Sequence, residues 1–102
     1  MAVRHPVTSL ASLPPGTGRV FTVAGQCVAL FNAGGRIFAV GGTCPHDGAP
    51  LAEGAVDGTT LVCPLHGAEF DLVSGRVLCP PAVENIPSYP VHLDGDRIEV
   101  EI

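Results

Sequence analysis

An all-β domain is the architecture this sequence predicts, on three observations. No segment repeats its apolar residues at helical spacing, β-branched and aromatic residues gather in short runs, and clusters of Gly, Pro and Asp separate those runs. The stretch up to Gly18 is rich in Pro and Ser and is expected to be partly loop, with His5 in a loose terminus. Val20–Val23 is the first β-rich run. Val28–Phe31 and Arg36–Val40 flank Asn32-Ala33-Gly34-Gly35, a hairpin signal. Cys27, among apolar strand residues, reads as a core thiol. Leu61-Val62 lead into Cys63, after which Ala68–Leu72 and Arg76–Leu78 flank Val73-Ser74-Gly75, a second hairpin. Tyr89–Leu93 and Arg97–Ile102 meet at Asp94-Gly95-Asp96. The strict alternation of Arg97-Ile98-Glu99-Val100-Glu101-Ile102 argues for a half-buried strand. His92, between Val91 and Leu93, is expected to point outward.

With 102 residues the chain makes one domain with one modest core, and it is too short to add a catalytic domain. Hydrophobic residues make up 46% of it, yet no apolar run approaches the roughly 18 to 20 residues of a membrane helix. A soluble protein with no membrane partner is expected. Met1-Ala2-Val3-Arg4-His5-Pro6 lacks the pattern of an export leader, which points to the cytoplasm. Ten acidic residues against five basic ones leave a net charge of -5, which argues against nucleic acid as a partner. That charge suits brief encounters with basic protein surfaces, and equally well maintains solubility.

The chemistry lies in two short loops. Cys44-Pro45-His46 and Cys63-Pro64-Leu65-His66, with sixteen residues between His46 and Cys63, each offer one thiolate and one imidazole. A zinc finger places two Cys together and two His as a separate pair, whereas here each loop carries both ligand types. Either ligand pair alone is a weak signal; the two together, each followed by Gly within two residues of its His, are a strong one. An iron–sulfur cluster in which two His replace two Cys on one iron needs this stoichiometry. A structural Cys2His2 zinc module that mediates protein contacts is the alternative from a different class.

The segments CPHDGAPLAEG and CPLHGAEFDLVSGRV resemble those of the Rieske 2Fe-2S ferredoxins, and the likeness runs from about Val20 to the C-terminus. The resemblance implies a Rieske fold: an antiparallel β-sandwich base with a smaller cluster-binding subdomain inserted at about residues 41–81, all within one domain of residues 1–102. It implies one 2Fe-2S cluster, with Cys44 and Cys63 on an inner iron and His46 and His66 on an outer iron through Nδ1. Two thiolates and two neutral imidazoles make the cluster about two charges less negative than four thiolates do, so reduction is easier. Reduction should in turn raise the pKa of the imidazole N–H groups. The implied role is that of a monomeric electron carrier without catalysis of its own. It would link an NAD(P)H-dependent flavin reductase to the terminal oxygenase of a ring-hydroxylating dioxygenase system. The small subunit of an assimilatory nitrite reductase shares the fold and is the second reading, although many such subunits lack the ligands present here.

Four positions bear on the potential. Quinol-oxidising Rieske proteins join their ligand loops by a disulfide and place Ser and Tyr hydroxyls beside the cluster; the matching positions here hold Ala49, Leu65, Ala68 and Phe70. Each departure removes a donor or constraint that raises potential, so a low-potential centre is expected. Gly41, Gly42, Gly48 and Gly67 are expected to free backbone that side chains would obstruct, with amides available to cluster sulfurs. Pro45 and Pro64 stiffen the loops. With two of the four Cys assigned to metal, a reducing compartment fits better than a disulfide framework. Cys79 sits where the family has a proline-containing covering loop and is expected to pack rather than ligate, with a Cys27–Cys79 pairing left open. Asp47, Glu53 and Glu69 read as surface charges near a docking face.

Overall fold

The computed structural model describes residues 2–43, 50–63, 67–79 and 84–102, with Cys79 represented by its backbone alone. It is built of antiparallel strands: β1 (Arg4–Ser9), β2 (Gly18–Val23), β3 (Gln26–Ala33), β4 (Arg36–Gly41), β5 (Ala55–Asp57), β6 (Thr60–Val62), β7 (Glu69–Asp71), β8 (Val77–Cys79), β9 (Ser88–Tyr89), β10 (Val91–Asp94) and β11 (Arg97–Glu101). Short 3₁₀ turns cover Leu10–Ser12 and Leu51–Glu53. The strands form three sheets, ordered β1-β11-β10, β2-β3-β4-β9 and β5-β6-β7-β8.

The β2-β3-β4-β9 sheet is central because both of its faces are apolar. Side chains alternate across a strand, so Ala29, Phe31, Phe38 and Val40 point one way, onto Leu51, Leu61, Cys63, Ala68, Phe70, Leu72 and Ile86. Val28, Leu30 and Ala39 point the other way, onto Leu13, Ile98 and Val100. The continuous apolar run Val28–Phe31 is the signature of a strand buried on both faces. Each fully buried Leu, Val or Phe contributes about 1.5–3 kcal/mol relative to exposure, so the two cores clamp the third sheet and the outer sheet onto this one.

Two tight turns set the central register. Gly34 and Gly35 both have positive φ, and the buried Asn32 side chain accepts the Gly35 N–H through Oδ1 (2.8 Å) and donates to the Leu13 carbonyl (2.8 Å). The hairpin is tighter than the sequence signal suggests: Asn32 and Ala33 belong to β3, and the turn is the Gly34-Gly35 pair. At the other end of β3, Ala24 and Gly25 turn the chain, with Ala24 at φ 51°.

The structure corrects the expectation for the N-terminus. Residues 4–9 form β1, in which His5 pairs in register with Val100. The Val3 and Ile102 backbones exchange hydrogen bonds (2.8 and 3.0 Å) beyond its end. Tyr89–Leu93 is also not one strand: Pro90 divides it, so that β9 joins the central sheet and β10 the outer one. The alternation of Arg97–Ile102 is borne out, with Ile98 and Val100 buried. His92 lies half-buried beside Glu101, its Nε2 2.8 Å from Oε1. β5, which the sequence reading lacks, pairs with β6 across Gly58 at φ 62°.

Candidate metal centre

Both ligand loops leave the same core. β4 ends at Gly41, and the chain past it is held from two sides: the Gly42 N–H donates to the Cys27 carbonyl (3.0 Å), and the Gly42 carbonyl accepts from Leu51 (3.0 Å). A bridge between Thr43 and Pro50 then closes the first loop, and the buried Leu51 anchors its exit. The second loop extends the β6–β7 hairpin. The Cys63 N–H donates to the Ala68 carbonyl (2.7 Å), and the Gly67 N–H donates to the Cys63 carbonyl (3.3 Å). Gly67 has φ 73° with open space around it, so glycine is needed there for backbone conformation rather than for room.

Of the four predicted ligands, Cys63 lies within the described residues; Cys44, His46 and His66 lie outside them, as do Ala49, Leu65, Asp47, Gly48, Pro45 and Pro64. Cys63 is 2% exposed and packs in the core that holds Leu61, Ala68 and Phe70. A thiolate in such apolar surroundings is unfavourable unless a cation neutralises it. The one described candidate ligand therefore suits a metal-bound sulfur. Ala68 and Phe70 are both fully buried in the same core.

A strap completes the frame. The Ile86 N–H donates to the Gly75 carbonyl (2.8 Å), the Val77 N–H to Asn85 Oδ1 (2.9 Å), and the Gly41 N–H to the Pro87 carbonyl (2.9 Å). Residues 85–87 thus tie the β7–β8 turn to the end of β4, with Ile86 buried between. Sequence reasoning missed Asn85 and Ile86, since neither sits in a periodic run. Gly75 carried a signal as a turn residue, and its φ of 77° bears that out.

Two other expectations are corrected. Cys27 is exposed and, among the described residues, unpaired, because β3 runs past the edge of the core at that point. The Gly41 and Gly42 amides are spent on the Pro87 and Cys27 carbonyls rather than left free for sulfur. The side chain of Cys79 lies outside the described residues. Glu53 is exposed and Glu69 half-buried; with Asp57 and Asp71 they give the third sheet and its flanking turn four carboxylates. Arg97 lies 2.8 Å from Asp94 and 3.1 Å from Glu99, whereas Arg19 and Arg36 stand over the rings of Phe21 and Phe38.

A base of two sheets, a third sheet, one loop rooted at the end of β4 and a second rooted at the buried Cys63 between β6 and β7 make a frame that suits a small iron–sulfur domain, and the comparisons with known proteins identify the family. Residues 3–90 match the family model described as the Rieske [2Fe-2S] domain, and the chain belongs to that family. The cofactor of the domain is one Rieske-type 2Fe-2S cluster. The chain is 36% identical over 94 residues to the ferredoxin component of the naphthalene 1,2-dioxygenase system of Pseudomonas aeruginosa, covering 92% of this chain and 90% of that one. Its structure superposes with a TM-score of 0.90 on the ferredoxin of carbazole 1,9a-dioxygenase from Nocardioides aromaticivorans IC177, at 31% identity and 96% coverage of both chains. The same TM-score of 0.90 relates it to a candidate NADH-dependent nitrite reductase small subunit from Mycobacterium tuberculosis, at 30% identity, covering 100% of this chain and 96% of that one. Among the described residues no helix is long and apolar enough to cross a membrane.

Proposed function

We propose that this protein is a low-potential electron carrier that takes single electrons from an NAD(P)H-dependent flavin reductase and delivers them to a terminal oxygenase. Segment 41–81 would serve as the cluster-binding unit of the single domain, with Cys44 and Cys63 holding one iron and His46 and His66 the other. When bound, the cluster supplies one-electron oxidation and reduction. The chain's own part is to bury the thiolate side, leave the imidazole side to meet partners, and set the potential through what surrounds the sulfurs.

The observation that carries the low-potential reading is the packing of Ala68 and Phe70, both fully buried in the core with Cys63 and neither bearing a hydroxyl. A donor there would favour the more negative, reduced state; its absence leaves the potential toward the lower end of the Rieske range, about -150 mV. The carboxylates Glu53, Asp57, Glu69 and Asp71, with Arg76 the one arginine between residues 41 and 81, suit electrostatic steering toward a basic partner surface.

The likeness to the nitrite reductase small subunit supports a second reading, a subunit of a larger reductase. Redox titration of the purified protein followed by low-temperature EPR separates the readings. A rhombic Rieske-type signal at low potential, from a protein that is soluble and monomeric alone, is the expected outcome. A signal at high potential overturns the low-potential assignment. A chain that aggregates unless a larger reductase subunit is present favours the second reading, and a colourless protein containing zinc without iron overturns both.

A further inference from the structure

β3 meets the root of the first ligand loop at Cys27. The register sets Val28 opposite Gly41, so continuing it by one residue brings Cys27 opposite Gly42. Cys27 stands on the face of β3 that carries Ala29 and Phe31 toward the third sheet. There the Gly42 N–H donates to the Cys27 carbonyl (3.0 Å). A Cβ on Gly42 would collide with the Cys27 Sγ and lie 3.2 and 3.3 Å from the Cys27 carbonyl carbon and oxygen. Gly42 does not adopt the left-handed conformation, so this position demands space rather than backbone freedom. Its carbonyl accepts from Leu51, and Thr43 next to it bridges Pro50. The Cys27 sulfur, the Gly42 peptide and Leu51 therefore form one stack from the central sheet to both ends of the first loop, and Cys27 is its solvent-facing member.

We propose that Cys27 is a positioning residue for the cluster. Its side chain, seated on Gly42 two residues ahead of Cys44, determines where the first loop leaves the central sheet and so adjusts the geometry and potential of the centre. This rests on the ligand assignment proposed above. Because Cys27 is exposed, removing its sulfur gives up little buried surface, and a positional role separates cleanly from a packing role.

The test compares cluster-loaded wild type with Cys27→Ala, Gly42→Ala and the double variant by EPR g values, midpoint potential, cluster occupancy and thermal melting. Cys27→Ala, which keeps the backbone hydrogen bond, should melt with the wild type yet shift the g values and the potential. Gly42→Ala should lose at least half of the cluster, and the double variant should regain most of it. Alkylation of the loaded wild type with iodoacetamide should alter the EPR signal, while the same treatment of Cys27→Ala should not. Wild-type g values and potential in Cys27→Ala, or a Gly42→Ala defect that Cys27→Ala does not relieve, overturns the proposal. A wild type without the Rieske signal overturns the ligand assignment, and this proposal with it.

Discussion

The central sheet and the cluster-side sheet are built on opposite terms. β2, β3 and β4 run six to eight residues, and β3 is buried on both faces from Val28 to Phe31. β5 to β8 run three residues each; β6 contributes Leu61 to the core, β7 contributes Phe70, and β5 has no buried residue. A strand sandwiched between two apolar layers carries its own stability. A three-residue strand does not, so the cluster-side sheet depends on the shared core, on the closed loop roots and, on the ligand assignment proposed above, on the metal that would join the loops. The sheet beside the proposed ligands is the part least able to stay ordered alone.

Removing iron should therefore break the symmetry most visibly. A ligand that binds only the folded site stabilises it by its binding free energy. Chelation should abolish amide exchange protection in β5 to β8 while Leu30, Phe31 and Val40 remain protected. Hydrogen exchange followed by mass spectrometry checks this, and an equal fall in both sheets would mean that the two sheets unfold as one unit.

Truncation in each sheet sharpens the same contrast. Phe31→Ala and Phe70→Ala both remove a fully buried ring, and each should cost about 3–5 kcal/mol. The Phe31 variant should lose the whole fold in one denaturant transition. The Phe70 variant should lose visible absorbance from the cluster at lower denaturant than it loses the β signal in circular dichroism. Coincident transitions in the Phe70 variant would contradict the account.

The turns offer a smaller test. Ala24 holds φ 51° at the β2–β3 turn, a region that costs a residue with a Cβ roughly 1 kcal/mol. Ala24→Gly should relieve that cost and raise the melting temperature while leaving the EPR spectrum unchanged, because the strain lies in the base. The turn itself was not read from the sequence, since Ala-Gly is a weaker signal than the Gly34-Gly35 pair. The central hairpin and the alternating C-terminal strand were legible because their patterns are long and local. β5 was not, since Ala55-Val56-Asp57 is too short to show a period, and β1 was hidden because Pro6 and the prolines after it suggest loop. The candidate ligand pattern stood out because Cys and His chemistry is particular, whereas the strap through Asn85 depends on one side-chain oxygen meeting an edge-strand N–H, which no spacing announces. Cys27 shows the reverse failure: apolar neighbours imply burial, but they bury one strand position further on.

Ala68→Ser asks whether the cluster-side sheet controls the electron as well as the fold. Ala68 is fully buried, and its carbonyl accepts the Cys63 N–H (2.7 Å), so a hydroxyl on its Cβ would be added at the root of the sulfur-bearing loop. If that hydroxyl bonds to a cluster sulfur, the added donor stabilises the reduced state by about 1 kcal/mol, or ~40 mV for one electron, and the potential rises. Ala29→Ser is the matched control, since Ala29 is also fully buried in the same core but on the central sheet. It should cost about 1–3 kcal/mol of stability for an unpaired buried hydroxyl and leave the potential alone. A redox titration in which both serines move the potential alike would show that polarity anywhere in the core sets it. One in which neither does would remove Ala68 and Phe70 as the reason for a low-potential centre.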